Sequence, residues 1–340
     1  MKILYVLVSS DSDFYYEQAL ISMMSAKYQM PSCTISLLTE RATDNELKGS
    51  RSLINEYISE KIVIDLDSSL SPMQKSRWLK TSTRKLVKGD FLYVDVDTVF
   101  AAPLDESLLS EEVMGVPDGN YSLAQHPLKW FIIENLKKLG YSTNSNYHIN
   151  SGVLFFKDTP NVHHFIDEWH KLWQDSCKKG IFIDQPALQQ AIFKSNEILK
   201  LLPNSWNAQF GRNINTLLDG IILHYYSSWN DNISYVPAYK FLQKEWLSLF
   251  RKNPKAEEFQ TLIHNPKKAF DPNTFIMGND FDRWRNSRLI YTLMNTHSSK
   301  NSADKRLFKL FEKIFFIMRK MYYATIKLLY PIKRCFSKKK

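Results

Sequence analysis

Cysteine is scarce in this chain. Its 340 residues include three, Cys33, Cys177 and Cys335. They lie far apart and in no metal-ligand spacing, which excludes a disulfide framework and points to a reducing compartment. Long apolar runs are missing as well, and none is long enough to span a bilayer. Met1 to Val8 carries too short an apolar run for a signal peptide and meets Asp11 at once. It is expected to be a first strand, not a targeting segment. No internal repeat or long low-complexity segment is present. The net charge of +10 is not spread along the chain. Residues 303–340 hold twelve Lys or Arg against Asp304 and Glu312, and so account for the whole excess. The main body is neutral, and composition gives it no nucleic-acid footprint. The length allows one large domain or two modest ones.

What is present is organised around Phe91-Leu92-Tyr93-Val94-Asp95-Val96-Asp97-Thr98. The β-rich apolar run predicts a buried strand. Asp95 and Asp97 then sit at or just past its C-terminal end, where ligands bind in open α/β sheets. Period two points both carboxylates the same way. Their repulsion would be relieved by a cation, and hard oxygen ligands favour Mg²⁺ or Mn²⁺. The plain alternative is a strand followed by a solvated turn.

Around that strand the chain alternates. Residues 2–8, 34–38 and 61–66 read as strands. A helix follows the first, with Asp13 placed to cap it, and Asp44 to Tyr57 reads as another. Ser71-Pro72 opens a helix carrying Arg77, Lys80 and Arg84 on one face. That face is either solvated or delivers cations to an anionic ligand. Further strands are expected at 113–117, 153–156 and 221–226, and helices at 126–139, from Asn161 and from Asp184-Gln185-Pro186. Leu201-Leu202-Pro203 and Trp206-Asn207 read as loop. The pattern predicts an α/β fold, a mostly parallel sheet flanked by helices.

Six segments occur in order: Ile3–Val8, Asp95–Asp97, Asn150–Val153, Asp184–Gln185, Leu202–Asn207 and Ile222–Tyr225. In this the chain resembles the family 8 glycosyltransferases, retaining enzymes of the Rossmann-like GT-A fold, over residues 1–226. The resemblance implies a nucleoside diphosphate sugar donor, most simply UDP-linked, and a Mn²⁺ or Mg²⁺ cofactor. It implies metal ligation by Asp97 and His224, with Asp95 on the metal or the ribose beside Val96. Val8, Ser10 and Asp11 would flank the base. Asn150, next to Ser151, would bind the donor sugar or simply cap a turn. Asp184 would bind sugar hydroxyls or only cap its helix, and Gln185 would lie by the anomeric carbon. Asp118 would reach donor or acceptor. In many members the late His is followed by a Gly and a Lys-Pro-Trp run that grips the diphosphate. Here the run is His224-Tyr225-Tyr226-Ser227-Ser228-Trp229, without a Lys, so Arg77 or Lys80 is expected to carry the clamp.

Two other readings compete. The Asp95-to-Val99 run also fits a haloacid-dehalogenase-like phosphatase with Asp95 as nucleophile, and Gly278 to Asp282 mimics its late acidic motif. Three strands precede the run, however, where that nucleophile strand comes first. A non-catalytic membrane-surface scaffold is the third reading.

The expected divisions are a catalytic domain at 1–230, a helical extension at 231–302, and a basic amphipathic helix and tail at 303–340. Arg306, Lys309, Lys313, Lys320 and Lys327 share one face of that helix, and aliphatic and aromatic residues fill much of the rest. Such a helix suits an anionic membrane surface; packing on the body or on a partner is the alternative. The overall expectation is a cytoplasmic protein, peripheral on the inner membrane face. It would act on a saccharide acceptor, lipid-linked, in surface glycan (lipopolysaccharide or capsule) synthesis.

Overall fold

The computed structural model describes residues 1–126, 129–196, 198–210, 215–226, 238–271 and 302–336. They belong to two compact units, Met1–Asp271 and Pro272–Lys340. The Ser227–Trp229 run, the Gly278–Asp282 cluster and Lys338–Lys340 lie outside the described residues.

The described residues of the first unit form nine strands: β1 Lys2–Leu7, β2 Thr34–Glu40, β3 Glu60–Ile64, β4 Phe91–Val94, β5 Thr98–Phe100, β6 Val113–Pro117, β7 Ile149–Phe156, β8 Leu199–Leu201 and β9 Ile222–His224. Seven of them form one sheet in the order β3-β2-β1-β4-β7-β6-β8, and β5 and β9 form a separate two-stranded ribbon. Within the seven-stranded sheet β1, β2, β3 and β4 pair parallel, as do β6 and β8, and β7 runs antiparallel to both its neighbours; β5 and β9 pair antiparallel. A mostly parallel sheet needs cover on both faces, which is why β1 is apolar at every position after Lys2. Ile3, Tyr5 and Leu7 face one core, with the helix Tyr15–Gln29 and the late helices Lys244–Lys252 and Glu257–His264. Leu4 and Val6 face the other, with the helices Pro72–Thr81, Pro160–Lys178 and Gln185–Lys194.

Several boundaries differ from the sequence expectation, each for a local reason. The Asp44–Tyr57 helix is two pieces. The Glu40 carboxylate accepts from Ala42 N and Thr43 N and starts a short helix at Arg41–Glu46. Gly49, at φ +56°, then resets the backbone before a 3₁₀ segment, Gly49–Glu56. Asp13 does not stand at the cap position, which is Phe14, although its carboxylate accepts from Tyr15 N at 3.0 Å. The helix after Ser71 has the expected start, with Pro72 at its first turn and Ser71 and Gln74 capping each other. It stops at Ser82, whose hydroxyl donates back to Trp78 O. Arg84 therefore leaves the face of Arg77 and Lys80. It is buried beneath Phe91 and donates to the Val87 and Gly89 carbonyls. Leu199–Leu201, partly assigned to loop, pairs with β6 instead.

In the second unit the described element is a helix of 35 residues, Ser302–Phe336. At 1.5 Å per residue it is about 50 Å long. Leu307, Leu310, Phe311, Ile314, Ile317, Met318, Met321 and Tyr322 on it are exposed. No helix among the described residues is long and apolar enough to cross a membrane.

Candidate active site

The main chain around Asp95 and Asp97 is held from three directions. β4 ends at Val94, and β5 leaves the main sheet to join β9, pairing Thr98 with His224. Asp95 N donates to Gly152 O at 2.7 Å, and Tyr225 N donates to Asp97 O at 3.1 Å. A chain of hydroxyls fixes the turn from behind. Thr98 Oγ1 donates to Asp95 O (2.8 Å), so it accepts from Ser22 Oγ (2.9 Å), which in turn accepts from Tyr5 OH (2.9 Å). The period-two expectation is thus met by a turn and not by a continuous strand.

Asp95, Asp97 and His224 come together. Their ligand atoms all lie within 4.8 Å of one another, and His224 Nε2 is 3.3 Å from Asp97 Oδ1. Two carboxylate oxygens and an imidazole nitrogen are a donor set for Mn²⁺ or Mg²⁺. The space beside them is kept open by Gly152. A Cβ at that position would lie 2.4 Å from His224 Cε1 and 2.9 Å from Asp95 Oδ2. The residues present fit a divalent cation.

A second cluster shares Asp95. Lys80 is buried, with Nζ at 3.1 Å from Asp95 Oδ1, 3.0 Å from Ser151 Oγ and 3.5 Å from Asp184 Oδ2. Arg77 Nε lies 3.0 Å from Asp184 Oδ1. Burial alone would raise the Asp184 pKa, but Lys80 and Arg77 hold it below the ordinary aspartate value. Burial likewise works against the Arg77 charge, while Asp184 and Asp95 keep its pKa above the usual one. Asp184 makes no capping bond to its helix, so its carboxylate serves the cluster. Tyr93 OH donates to Asp95 as well. Burial, reinforced by Asp95, pushes the Tyr93 phenol far up, so it is a neutral donor. The two cations thus stand between carboxylates at the edge of the Asp95–Asp97–His224 group.

Asn150 and Asp118 form a third group with each other. Asn150 Nδ2 donates to Asp118 Oδ1 (2.9 Å) and Tyr226 OH (3.1 Å). Its Oδ1 accepts from Gly152 N (2.9 Å) and Asn207 Nδ2 (2.9 Å). That fills the hydrogen-bonding capacity of its amide. The other Asp118 oxygen lies 3.0 Å from His126 Nε2. Nearby His148 is buried with Nδ1 unpartnered, and burial lowers its pKa to about 4.

Val8, Ser10 and Asp11 lie where β1 runs out. Ser10 N donates to Asp13 Oδ2 at 2.8 Å, and exposed Asp11 meets Arg51 Nη1 at 3.3 Å. Val96 is half-buried against the core. Gln185, at the start of its helix, has Nε2 3.4 Å from Ile149 O.

Sequence reasoning missed Tyr93 and Asn207. The alternation that pairs Asp95 with Asp97 also puts Tyr93 on their side. Asn207 closes the Leu202–Asn207 motif, and its Oδ1 lies 3.0 Å from His224 Nδ1. Nothing in the sequence marks Gln209, whose Oε1 accepts from Tyr226 OH and from Gly119 N.

No family model and no curated protein matches the sequence. Among solved structures, the chain is similar to mouse xyloside xylosyltransferase 1 in its apo form, at 14% identity over 66% of this chain and 98% of that one, with a TM-score of 0.43. It is similar to the galactosyltransferase LgtC in complex with donor and acceptor sugar analogues, at 14% identity over 77% and 99%, with a TM-score of 0.47. An active-site mutant of LgtC gives 14% over 76% and 99%, with a TM-score of 0.48.

Proposed function

We propose that this chain is a metal-dependent, retaining glycosyltransferase that moves a hexose from a nucleoside diphosphate sugar, most simply a UDP-sugar, to a saccharide acceptor. The observation that carries this reading is the convergence of Asp95, Asp97 and His224 within 4.8 Å, beside a buried Lys80–Arg77–Asp184 cluster.

Asp95, Asp97 and His224 would hold Mn²⁺ or Mg²⁺. A divalent cation there supplies positive charge for the leaving diphosphate. Lys80 and Arg77 add fixed cations at the same edge, in place of the Lys-Pro-Trp run this chain lacks. Asp184, held ionised, would accept from donor-sugar hydroxyls, and Gln185 would lie by the reacting carbon. Val8, Ser10, Asp11 and Val96 border the nucleoside. Asn150 and Ser151 line the sugar side. A sugar contact from Asn150 would replace one of the four hydrogen bonds its amide already makes.

The exposed apolar and basic side chains of residues 302–325 support docking on an anionic membrane surface, on the cytoplasmic face. A lipid-linked acceptor would then share that surface with the enzyme, as in lipopolysaccharide or capsule synthesis.

The test is release of nucleoside diphosphate from a panel of sugar nucleotides with Mn²⁺. Asp97→Asn should abolish release and metal-dependent donor binding while the circular dichroism spectrum stays unchanged. Full turnover in that variant would sink the metal assignment. Orthophosphate released from a phosphomonoester, with no sugar nucleotide cleaved, would favour the phosphatase reading.

A further inference from the structure

We infer that Asn207 is a positioning residue that sets the tautomer of His224, so that Nε2 presents a lone pair to the cation. This rests on the metal reading above and adds to it a role for the Leu202–Asn207 motif.

The direction of every bond in the network follows from one backbone group. Gly152 N can only donate, so the Asn150 atom it meets at 2.9 Å is the oxygen. The Asn150 nitrogen therefore faces Asp118, a carboxylate that accepts (2.9 Å). Asn207 lies 2.9 Å from the same Asn150 oxygen and must turn its NH₂ toward it. Its own oxygen is left facing His224 Nδ1 at 3.0 Å. An oxygen there requires Nδ1 to carry the proton. In the neutral ring Nε2 is then unprotonated, 3.3 Å from Asp97 Oδ1.

Asn207 is fully buried, and its backbone is tied down separately. Its carbonyl accepts from Asn120 Nδ2 at 2.9 Å, and the next carbonyl, Ala208 O, accepts from His224 N at 3.0 Å. Amide and imidazole thus cannot slide apart. Asp97 alone would favour the opposite tautomer, because a carboxylate beside Nε2 draws the proton there. The network and Asp97 therefore make opposing demands on a neutral His224. With the proton on Nδ1, two lone-pair donors face each other beside Asp95, and a cation relieves that opposition. Partners of this kind typically change metal affinity about 10–100-fold.

The experiment is ¹⁵N NMR of histidine-labelled, metal-free, full-length protein at a pH where imidazole is neutral. His224→Gln assigns the resonance, and Mn²⁺ affinity is measured in parallel by electron paramagnetic resonance. The wild type is expected to show Nδ1–H. Asn207→Leu is expected to move the ring toward Nε2–H and to weaken Mn²⁺ binding about 10–100-fold. Asn207→Asp, which keeps an acceptor for Nδ1, should retain Nδ1–H and guards against a leucine variant that fails to fold. An Nε2–H wild type overturns the inference, as does an Asn207→Leu protein with tautomer and Mn²⁺ affinity unchanged. Nδ1–H in a wild type that binds no Mn²⁺ overturns the metal reading instead, and with it the purpose assigned to Asn207.

Discussion

Gly152→Ala adds one methyl group at the most crowded point of the site. The new Cβ would stand 2.4 Å from His224 Cε1, 2.9 Å from Asn150 Oδ1 and 2.9 Å from Asp95 Oδ2. Ordinary contact between carbons is about 3.5–4.0 Å, so the imidazole would have to retreat by roughly 1 Å. It has no easy exit. Nδ1 is held by Asn207 and the backbone by Ala208 O. Overpacking of this kind costs about 1–3 kcal/mol. A displacement of about 1 Å in a positioned group can lower turnover about 100-fold. Three measurements follow: urea unfolding of the metal-free protein, Mn²⁺ titration calorimetry, and nucleotide release. The variant should unfold at lower urea, bind Mn²⁺ more weakly and turn over about 100-fold more slowly. A variant with wild-type Mn²⁺ affinity and wild-type turnover would show that Asp95 and His224 do not hold the ion from the positions described.

Lys80→Met should be among the most destabilising single changes, because it leaves Asp95 and buried Asp184 without the cation between them. Removing one partner of a buried pair costs about 3–5 kcal/mol, and an unchanged urea midpoint would count against that pairing. His148 makes stability depend on pH. The unfolded chain takes up its proton near 6.5, but the folded protein does not until about 4. The unfolded state therefore binds more protons across that window, and stability falls as pH drops through it, by on the order of 3 kcal/mol. His148→Leu should flatten the pH profile of the urea midpoint between those values; an equally steep profile in both proteins would refute the assignment. Deleting residues 303–340 should release the protein from anionic liposomes while sparing hydrolysis of a soluble donor. The loss should be greatest at low salt, since each Lys or Arg near such a surface adds about 1 kcal/mol. Equal co-sedimentation of truncated and full-length protein would show that the tail is not the anchor.

The strands at the centre of the sheet could be read from the sequence because burial on both faces writes itself as an unbroken apolar run, as in Phe91–Val94. The same physics hides β8. Three residues, two of them exposed, leave no periodic trace, and pairing with β6 decides their conformation. Arg84 shows a different limit. Spacing of i, i+3 and i+7 places side chains on one face only while the helix continues, and the Ser82 hydroxyl ends it. The convergence of Asp95, Asp97 and His224 was legible as two residues at a strand end plus a distant His in a recurring order. The partners of that group were not, because Asn150, Asn207 and Asp118 meet through tertiary contacts that no local spacing encodes.

The ribbon of β5 and β9 also sets an order of events during synthesis. β1 to β4 and both aspartates emerge early, but the imidazole that completes the site arrives only with β9. The 127 residues from position 97 to position 224 take roughly 6–25 s to translate at about 5–20 residues per second. For that interval a nascent chain carries β1 to β4 and the acidic pair without His224, while β7, β6 and β8 are still being added to the sheet. In the finished protein the same step can reverse locally. Three residue pairs hold the ribbon, so its opening would dissolve the site while the seven-stranded sheet stays closed.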